Sequence, residues 1–207
     1  MIHDVDACLG ALIKAEALAA EAEVVFEAPT TSWAARRTGP VVDVFLYDLR
    51  EDVARRDANT RPARDHNGRI VGRRRGIRYF KLSYMVTAWT NRPTDEHRLL
   101  GQLLETLLCY DQVPQTHLRG SLREKTVLLN VSLPPGPDRS LSDLWSALGG
   151  EMKPSLDLVV GVPVEPAQTY PVGPPVLQPP RVSVLRAIDD GDGARVSGPD
   201  QAVTSGG

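Results

Sequence analysis

Two long strand-like runs on either side of an arginine-rich span constrain the fold of this chain more than any other feature. The first run starts at Val41 and reads VVDVFLYDLRED, and the second extends from Arg78 to Thr90. Alternate residues of the second run are apolar, as in a strand with one buried face: Phe80, Leu82, Tyr84, Val86 and Ala88. At ~3.3 Å per residue this strand would reach roughly 40 Å, so we expect it to need a partner outside its own sheet. The pattern indicates a part of an assembly rather than an enzyme.

Composition is that of one globular domain with appendages. The chain has 207 residues, of which 42% are hydrophobic and only 5% aromatic, so its core must be mostly aliphatic. A net charge of −2 gives no general attraction to nucleic acid or to an anionic membrane. Cys8 and Cys109 fall in helix-like patterns and are predicted to be core thiols. With no signal-peptide pattern at the start and no run near the ~20 apolar residues of a membrane span, we expect synthesis and assembly in the cytoplasm.

Alternating and helical periodicities together predict an α+β domain over residues 1–166. Its sheet is mostly antiparallel or mixed, has four to five strands and packs with two main helices on one face. The last strand, Leu156 to Val164, is apolar on both faces and is therefore predicted to be central. The other predicted strands are Val24 to Glu27, Val41 to Leu49, Arg78 to Thr90 and Lys125 to Leu133.

Three segments have the signature of helices. The first runs from His3 to Ala20, and the third, from Ser140 to Leu148, has a capping box and ends at two glycines. The second follows Pro93, with Thr94 as its predicted cap. Its predicted buried face consists of Leu100, Leu103, Leu104, Leu107 and Leu108.

No pattern of residues indicates catalysis or metal binding. The pair Glu96-His97 lacks the second histidine of a zinc helix, and Asp190-Gly-Asp192-Gly lacks the other ligands of a calcium loop. No serine lies in the strand–turn–helix setting of a nucleophile. We therefore expect no enzyme activity, no cofactor and no metal site.

The arginine-rich span is the strongest chemical signal and the main candidate interface. Its candidate contact residues are Arg55, Arg56, Arg64, Arg69, Arg73, Arg74, Arg75 and Arg78. Contact with acidic residues of a neighbouring subunit is favoured, with Asp48, Glu51 and Asp52 as the acids. A mobile loop that serves solubility is the second interpretation. Nucleic acid comes last, because no aromatic residue interleaves the arginines and no reading helix is present.

The proline-rich C-terminal part, residues 167–207, is predicted to be an extended or disordered arm. Prolines cluster between Pro163 and Pro180, and Gly, Asp and Ser dominate beyond Arg186. After the prolines comes a short apolar patch, which is a candidate docking strip: Val182, Val184 and Leu185.

Four segments resemble the tail-terminator, or cap, proteins of phage-tail-like contractile injection systems. They are FLYDLRED (Phe45 to Asp52), LSYMVTAW (Leu82 to Trp89), DEHRLLGQLLETLL (Asp95 to Leu108) and LWSALGGEMKPSLDLVVGVPV (Leu144 to Val164). Their order and spacing match over roughly residues 2–166. The stretch around Trp145 to Ser155 is the most specific, because it combines a capped helical turn, two glycines and a strand start.

The resemblance implies a homohexameric ring at the end of the particle distal to the baseplate. Such a ring closes the inner tube, contacts the last sheath ring and limits further polymerisation, without catalysis or a cofactor. By analogy we expect the arginine-rich span to face the tube, a ring neighbour or the lumen, and the arm to reach the sheath. The particle itself acts either inside the cell or after release. Two alternatives stay open: a nucleic-acid-binding module that uses the arginines, and an adaptor that docks cargo through the arm.

Overall fold

A five-stranded mixed sheet forms the centre of the molecule in the computed structural model, which describes residues 1–18, 21–131, 140–150 and 152–171. The strand order is β1–β2–β5–β7–β6, with β1 parallel to β2 and the other neighbours antiparallel. The bounds are β1 Glu23–Val25, β2 Val41–Glu51, β5 Arg78–Trp89, β6 Leu128–Val131 and β7 Ser155–Val164. This confirms the predicted α+β class, and β7 is central as predicted.

A second, three-stranded sheet grows out of the connection between β2 and β5. It contains β3 (Thr60–Arg64), β4 (Ile70–Arg75) and β8 (Thr169–Pro171), all antiparallel, with β4 in the middle. The arginine-rich span is therefore a hairpin. Strand β8 lies near the start of the predicted arm. From residue 172 onward the arm, with Val182, Val184 and Leu185, lies outside the described residues.

Two long helices cover one face of the main sheet. Helix α1 is Ile2–Leu12 and continues as a π-helical turn through Leu18, and α3 is Pro93–Leu107. Between them and the sheet lies an aliphatic core in which each fully buried Leu or Val contributes about 1.5–3 kcal/mol. One polar link crosses it, because the Tyr84 hydroxyl donates to Asp6 Oδ1 at 2.8 Å. The two predicted main helices are thus present on one face.

The long strand β5 is an internal strand and has no free edge. It pairs with β2 from Phe80 to Trp89 and with β7 from Arg78 to Thr87. The expectation that it needs a partner outside its own sheet is wrong, because β7 has 10 residues and covers the second edge almost completely. Any pairing with another polypeptide must use other strands.

Helix α3 differs in detail from its prediction. Pro93 occupies the first turn, where its missing N–H costs nothing, and Arg92 rather than Thr94 precedes the helix. On the buried face Leu99 takes the place of Leu108, whose side chain is 64% exposed, and Leu104 is only half-buried. Cys109 is also exposed, whereas Cys8 is buried as predicted. The helix ends one residue before Leu108, so the final residues turn away from the sheet.

Two short helices cover part of the other face of the sheet. They are α2 (Thr31–Ala34) and α4 (Leu141–Leu148). Ser140 Oγ accepts from the Asp143 N–H, and Gly149 ends α4 with a φ of 69°, which confirms the predicted capping box and glycine terminus. The helices are held by tryptophans, with Trp33 and Trp145 at centroid distances of 5.2 and 6.5 Å from Trp89.

Asp43 is a fully buried carboxyl on this second face. Its Oδ1 accepts from the backbone N–H of Glu27 at 3.1 Å, and its Oδ2 has no hydrogen-bond partner among the described residues. Burial raises the pKa of Asp43 to about 7, and only part of that effect is offset by the Glu27 N–H and the nearby Arg37. The folded protein therefore retains a proton here at pH values where the unfolded chain has lost it.

Replacing Asp43 by Asn should remove the decrease in unfolding free energy that the wild type shows as pH rises. Since the carboxyl pKa rises from 3.8 to about 7 on folding, the native state binds more protons between these values, and stability falls as pH rises through them. Each pKa unit corresponds to about 1.4 kcal/mol, so the loss in the wild type is at most a few kcal/mol. Urea unfolding at about pH 5 and about pH 8 measures it. The control is Asp143→Asn. The role of Asp43 would be contradicted if the stability of Asp43→Asn changed with pH as in the wild type, or if the control lost its pH dependence to the same extent.

Candidate functional site

The candidate arginines separate into a hairpin group and a group at its base. Arg64 lies in β3, Arg69 follows the hairpin turn, and three consecutive arginines end β4: Arg73, Arg74 and Arg75. Since side chains alternate along a strand, Arg73 and Arg75 share one face of the small sheet and Arg74 lies on the other. At the base, Arg55 ends the short 3-10 turn after β2, Arg56 follows it, and Arg78 begins β5.

Glu51 binds the basal arginines from within the chain. Its two carboxylate oxygens accept from Nε and Nη2 of Arg56 at 2.8 and 2.6 Å, a bidentate pair. Nη1 of Arg78 lies 3.5 Å from the same carboxylate. The hydrogen bond and charge of Arg56, together with Arg78, hold the pKa of Glu51 below its usual value. One carboxylate thus serves two guanidinium groups.

The other two predicted acids also have cationic partners in the same chain. Asp52 Oδ2 lies 3.3 Å from Lys81 Nζ, and Asp48 Oδ2 lies 3.0 Å from Arg50 Nε. The structure therefore brings Asp48, Glu51 and Asp52 to the base of the hairpin and pairs each of them there. Their contact with a neighbouring subunit stays a prediction.

The hairpin arginines have few acidic partners. Asp65 is used by the turn, where its Oδ1 accepts from the backbone N–H groups of Asn67 and Arg69. The Arg64 side chain donates to the Gly68 carbonyl at 2.7 Å, and Gly68 has a φ of 77°, which requires glycine or strain. The side chains of Arg69 and Arg73 have no hydrogen bond or ion pair with any residue in the described ranges. The hairpin therefore presents uncompensated positive charge.

Strand β8 is a part of this surface that sequence reasoning placed in a solvated arm. Arg74 Nε donates to Thr169 Oγ1 at 3.0 Å, and the Arg75 guanidinium lies 5.8 Å from the centroid of the Tyr170 ring. Gly72 makes the close approach possible, because a Cβ there would lie 2.4 Å from Thr169 Cγ2. The strand supplies an aromatic ring that the hairpin itself lacks. No periodicity could reveal a three-residue strand whose side chains are all exposed.

A cleft of about 410 Å³ lies where the small sheet meets the main sheet. Phe80 and Val164 give it an apolar lining, Arg75 and Arg78 make it cationic, and Gln168 and Tyr170 complete it. Large apolar side chains are also exposed around it and along the hairpin: Leu49, Val53, Ile70, Val71 and Tyr170. Positive charge and exposed apolar area in one place are the properties of a binding surface.

The described residues contain no group of three or more His, Cys, Asp or Glu side chains that could hold a metal ion. The perturbed carboxyls serve structure. Hydrogen bonds from Ser121, with help from the N-terminal ammonium, lower the pKa of Asp4 to about 2, and burial raises the pKa of Asp6 beside Tyr84. Within the same part of the chain, no helix is both long enough and apolar enough to span a membrane. The charged and apolar hairpin is therefore the best candidate functional site.

Replacing Gly72 by Ala should detach β8 from the hairpin. The new Cβ would lie 2.4 Å from Thr169 Cγ2 and 2.7 Å from the Tyr170 carbonyl oxygen, so β8 must move. We expect faster amide hydrogen exchange at Thr169 and Tyr170, with global stability changed by no more than about 0.5 kcal/mol. Gly39→Ala is the control, since nothing lies within 4 Å of its added Cβ. Equal protection in both variants would show that the contact at Gly72 does not hold β8.

Comparison with known proteins places this fold in a family. Residues 4–178 match the model of the Pvc16 N-terminal domain. A PVC sheath/tube terminator of an extracellular contractile injection system, in its extended state, has a TM-score of 0.65 and 23% identity over 91% of this chain and 65% of that chain. The anti-feeding prophage tube-terminating cap has a TM-score of 0.63 and 22% identity over 88% of this chain and 62% of that chain.

This chain therefore spans less than two thirds of the length of either of these proteins. No curated protein matches the sequence significantly. The match to the family model covers most of the chain and includes the four segments on which the resemblance was based. It confirms that resemblance, and the chain belongs to the family of Pvc16 N-terminal domains.

Proposed function

We propose that this chain is a structural cap of a contractile injection system. It forms a ring, expected to be a homohexamer, that closes the distal end of the inner tube and sheath and limits their polymerisation. The observation that carries the proposal is family membership, supported by a fold shared over 91% of the chain with a sheath/tube terminator. The role requires no catalysis and no cofactor. Assembly takes place in the cytoplasm, into a particle that either stays there or is released.

Short or covered strand edges support a terminating role. The outer side of β6 is covered by the chain around Gln112, since the Val113 N–H donates to Val127 and the Leu129 N–H donates to Asp111, each at 2.9 Å. At the opposite edge β1 has only three residues, and it pairs with Val41–Asp43 at the start of β2. In the small sheet, edge strand β3 contains Pro62, which has no N–H to offer an added strand. Such edges do not serve as templates for continued growth.

The hairpin is the surface that we assign to partner binding. Its uncompensated arginines, with Val71 and Tyr170 exposed between them, suit an acidic protein surface on the tube, the sheath or a ring neighbour. Strand β8, near the start of the arm, is paired with β4 in this surface. We assign the arm, with the apolar strip at residues 182–185, to the sheath.

Loss of this chain should release control of particle length. Without a cap, tube and sheath subunits keep adding at the distal end, so lengths should become broad and include tubes without sheath. Electron microscopy of particles purified from a deletion strain measures the distribution. Complementation with the intact gene is the control. Particles of wild-type, uniform length from the deletion strain would disprove the cap role.

Replacing Arg73, Arg74 and Arg75 by Ser should weaken assembly of the cap with its partners. Each exposed charge pair contributes up to about 1 kcal/mol and is screened by salt, so three losses lower affinity by roughly ten- to a hundredfold at low ionic strength. As the salt concentration increases, the affinity of the wild type should fall toward that of the variant. The control variant carries the same change at Arg36, Arg92 and Arg123, which are exposed elsewhere. Equal capping by both variants would exclude the hairpin from this contact.

A further inference from the structure

We propose that the cleft at the base of the hairpin receives Leu108 from a second copy of the chain, at the C-terminal end of helix α3. The contact joins two different surfaces of one sequence and so belongs between neighbours in a ring. It deepens the proposed function, on which it rests, by naming the surfaces that would join the subunits.

The cleft has the chemistry of a socket for an apolar side chain with acidic neighbours. Phe80 and Val164 line its apolar part, while Arg75 and Arg78 supply two guanidinium groups. Within the described chain, the carboxylate near Arg78 is that of Glu51, at 3.5 Å. Arg56 binds the same carboxylate more closely, at 2.6 Å. A volume of about 410 Å³ accommodates one large side chain and the groups beside it.

Exposure identifies the candidates for the inserted side chain. Seven large hydrophobic residues are exposed among those the structure describes. Three lie on the small sheet (Ile70, Val71 and Tyr170), and two lie at its base, near the end of β2 and just after it (Leu49 and Val53). Only two lie elsewhere, Leu108 at 64% exposure and Met152 at 67%. Both stand free of their own domain, so either could enter the cleft of another copy.

Charge selects Leu108 over Met152. Glu105 and Asp111, three residues to either side of Leu108, are exposed and have no ion pair or hydrogen bond from their side chains to any residue in the described ranges. Leu108 also follows the last turn of α3, where the helix dipole is negative and attracts cations. Met152 instead precedes Lys153, a cation that contacts Glu96 in its own domain, so this neighbour offers no acid to the cleft arginines.

The symmetry of this contact matches a ring. Cleft and Leu108 are different surfaces, so a contact between them is head-to-tail. An open arc of subunits keeps one free cleft at one end and one free Leu108 at the other until the circle closes. A pair with a twofold axis would bury both copies of each surface and stop at two subunits. Closure also leaves no unsatisfied cleft, as a terminator requires.

Cross-linking tests the contact directly, because Cys109 is an exposed thiol next to Leu108. The full-length Gln168→Cys variant places a second thiol in the cleft. A short bis-maleimide reagent should then link copies into a ladder of multiples, up to the ring size, on a denaturing gel. The same variant with Cys109→Ser should give no ladder. A ladder that persists without Cys109, or none from chains that native mass spectrometry shows to be rings, would overturn the contact.

Charge reversal gives a second, independent test. Arg75→Glu with Arg78→Glu should weaken ring association about tenfold or more, and so should Glu105→Arg with Asp111→Arg, while all four changes together should restore it. Leu108→Ser should weaken the ring, whereas the matched Met152→Ser should not. Native mass spectrometry of the full chain reads out all of these variants. If the combined variant unfolds in urea like the wild type but does not recover ring association, the pairing is overturned.

These outcomes are distinguishable from failure of the proposed function. If particles lose length control on gene deletion but Cys109 does not link to the cleft, the cap role stands and this contact is wrong. If the chain forms no ring, alone or on particles, both the contact and the proposed ring are wrong.

Discussion

Pairing of β5 on both of its edges is the constraint on which the rest of this structure depends. Because β2 and β7 together take up its backbone groups, the strand can be 12 residues long without exposing a hydrogen-bonding edge. The length also fixes where the functional surface lies. The end of β5 near Trp89 is covered by the short helices, and the end near Arg78 carries the hairpin and the cleft. The two ends of this one strand therefore differ: one is packed against the short helices, and the other carries the candidate binding surface.

Local neutralisation explains why only part of the arginine-rich span is available for binding. At the base, Glu51 contacts Arg56 and Arg78. Asp48 contacts Arg50 and Asp52 contacts Lys81, and these short contacts stabilise the junction of the two sheets. On the hairpin itself Asp65 is committed to the turn, so the charge of Arg69 and Arg73 is left over. The sequence contains both groups in one continuous run. Only the strand register separates structural arginines from those that can reach a partner.

The fold class, the central position of β7 and the capped helix α4 could be predicted because each rests on a local pattern. Ser140 and Gly149 mark the ends of α4 by their own backbone chemistry, whatever lies around them. The partners of β5 could not be predicted, since alternation shows that a strand has two faces but not what lies at its edges. Likewise, helical spacing placed Leu108 on a buried face, although the helix ends just before it. Strand β8 packs closely on Gly72, which has no side chain and lies about a hundred residues away in the sequence. No local sequence signal encodes that contact.

The edges of the two sheets bear on how the proposed cap would stop further growth of a polymer. A cap that completed a neighbour's sheet with its longest strand would itself be a good template, because a long flat edge pairs readily with further chains. Here the long strand β5 is internal. At the periphery β1 is short, β6 is partly covered by the chain around Gln112, and β3 is interrupted by Pro62. Binding through side chains then becomes the stronger option, with charge for orientation and a cleft for specificity. Side-chain contacts of this kind offer no backbone edge to a further strand once they are formed, and that is the property that a terminator needs.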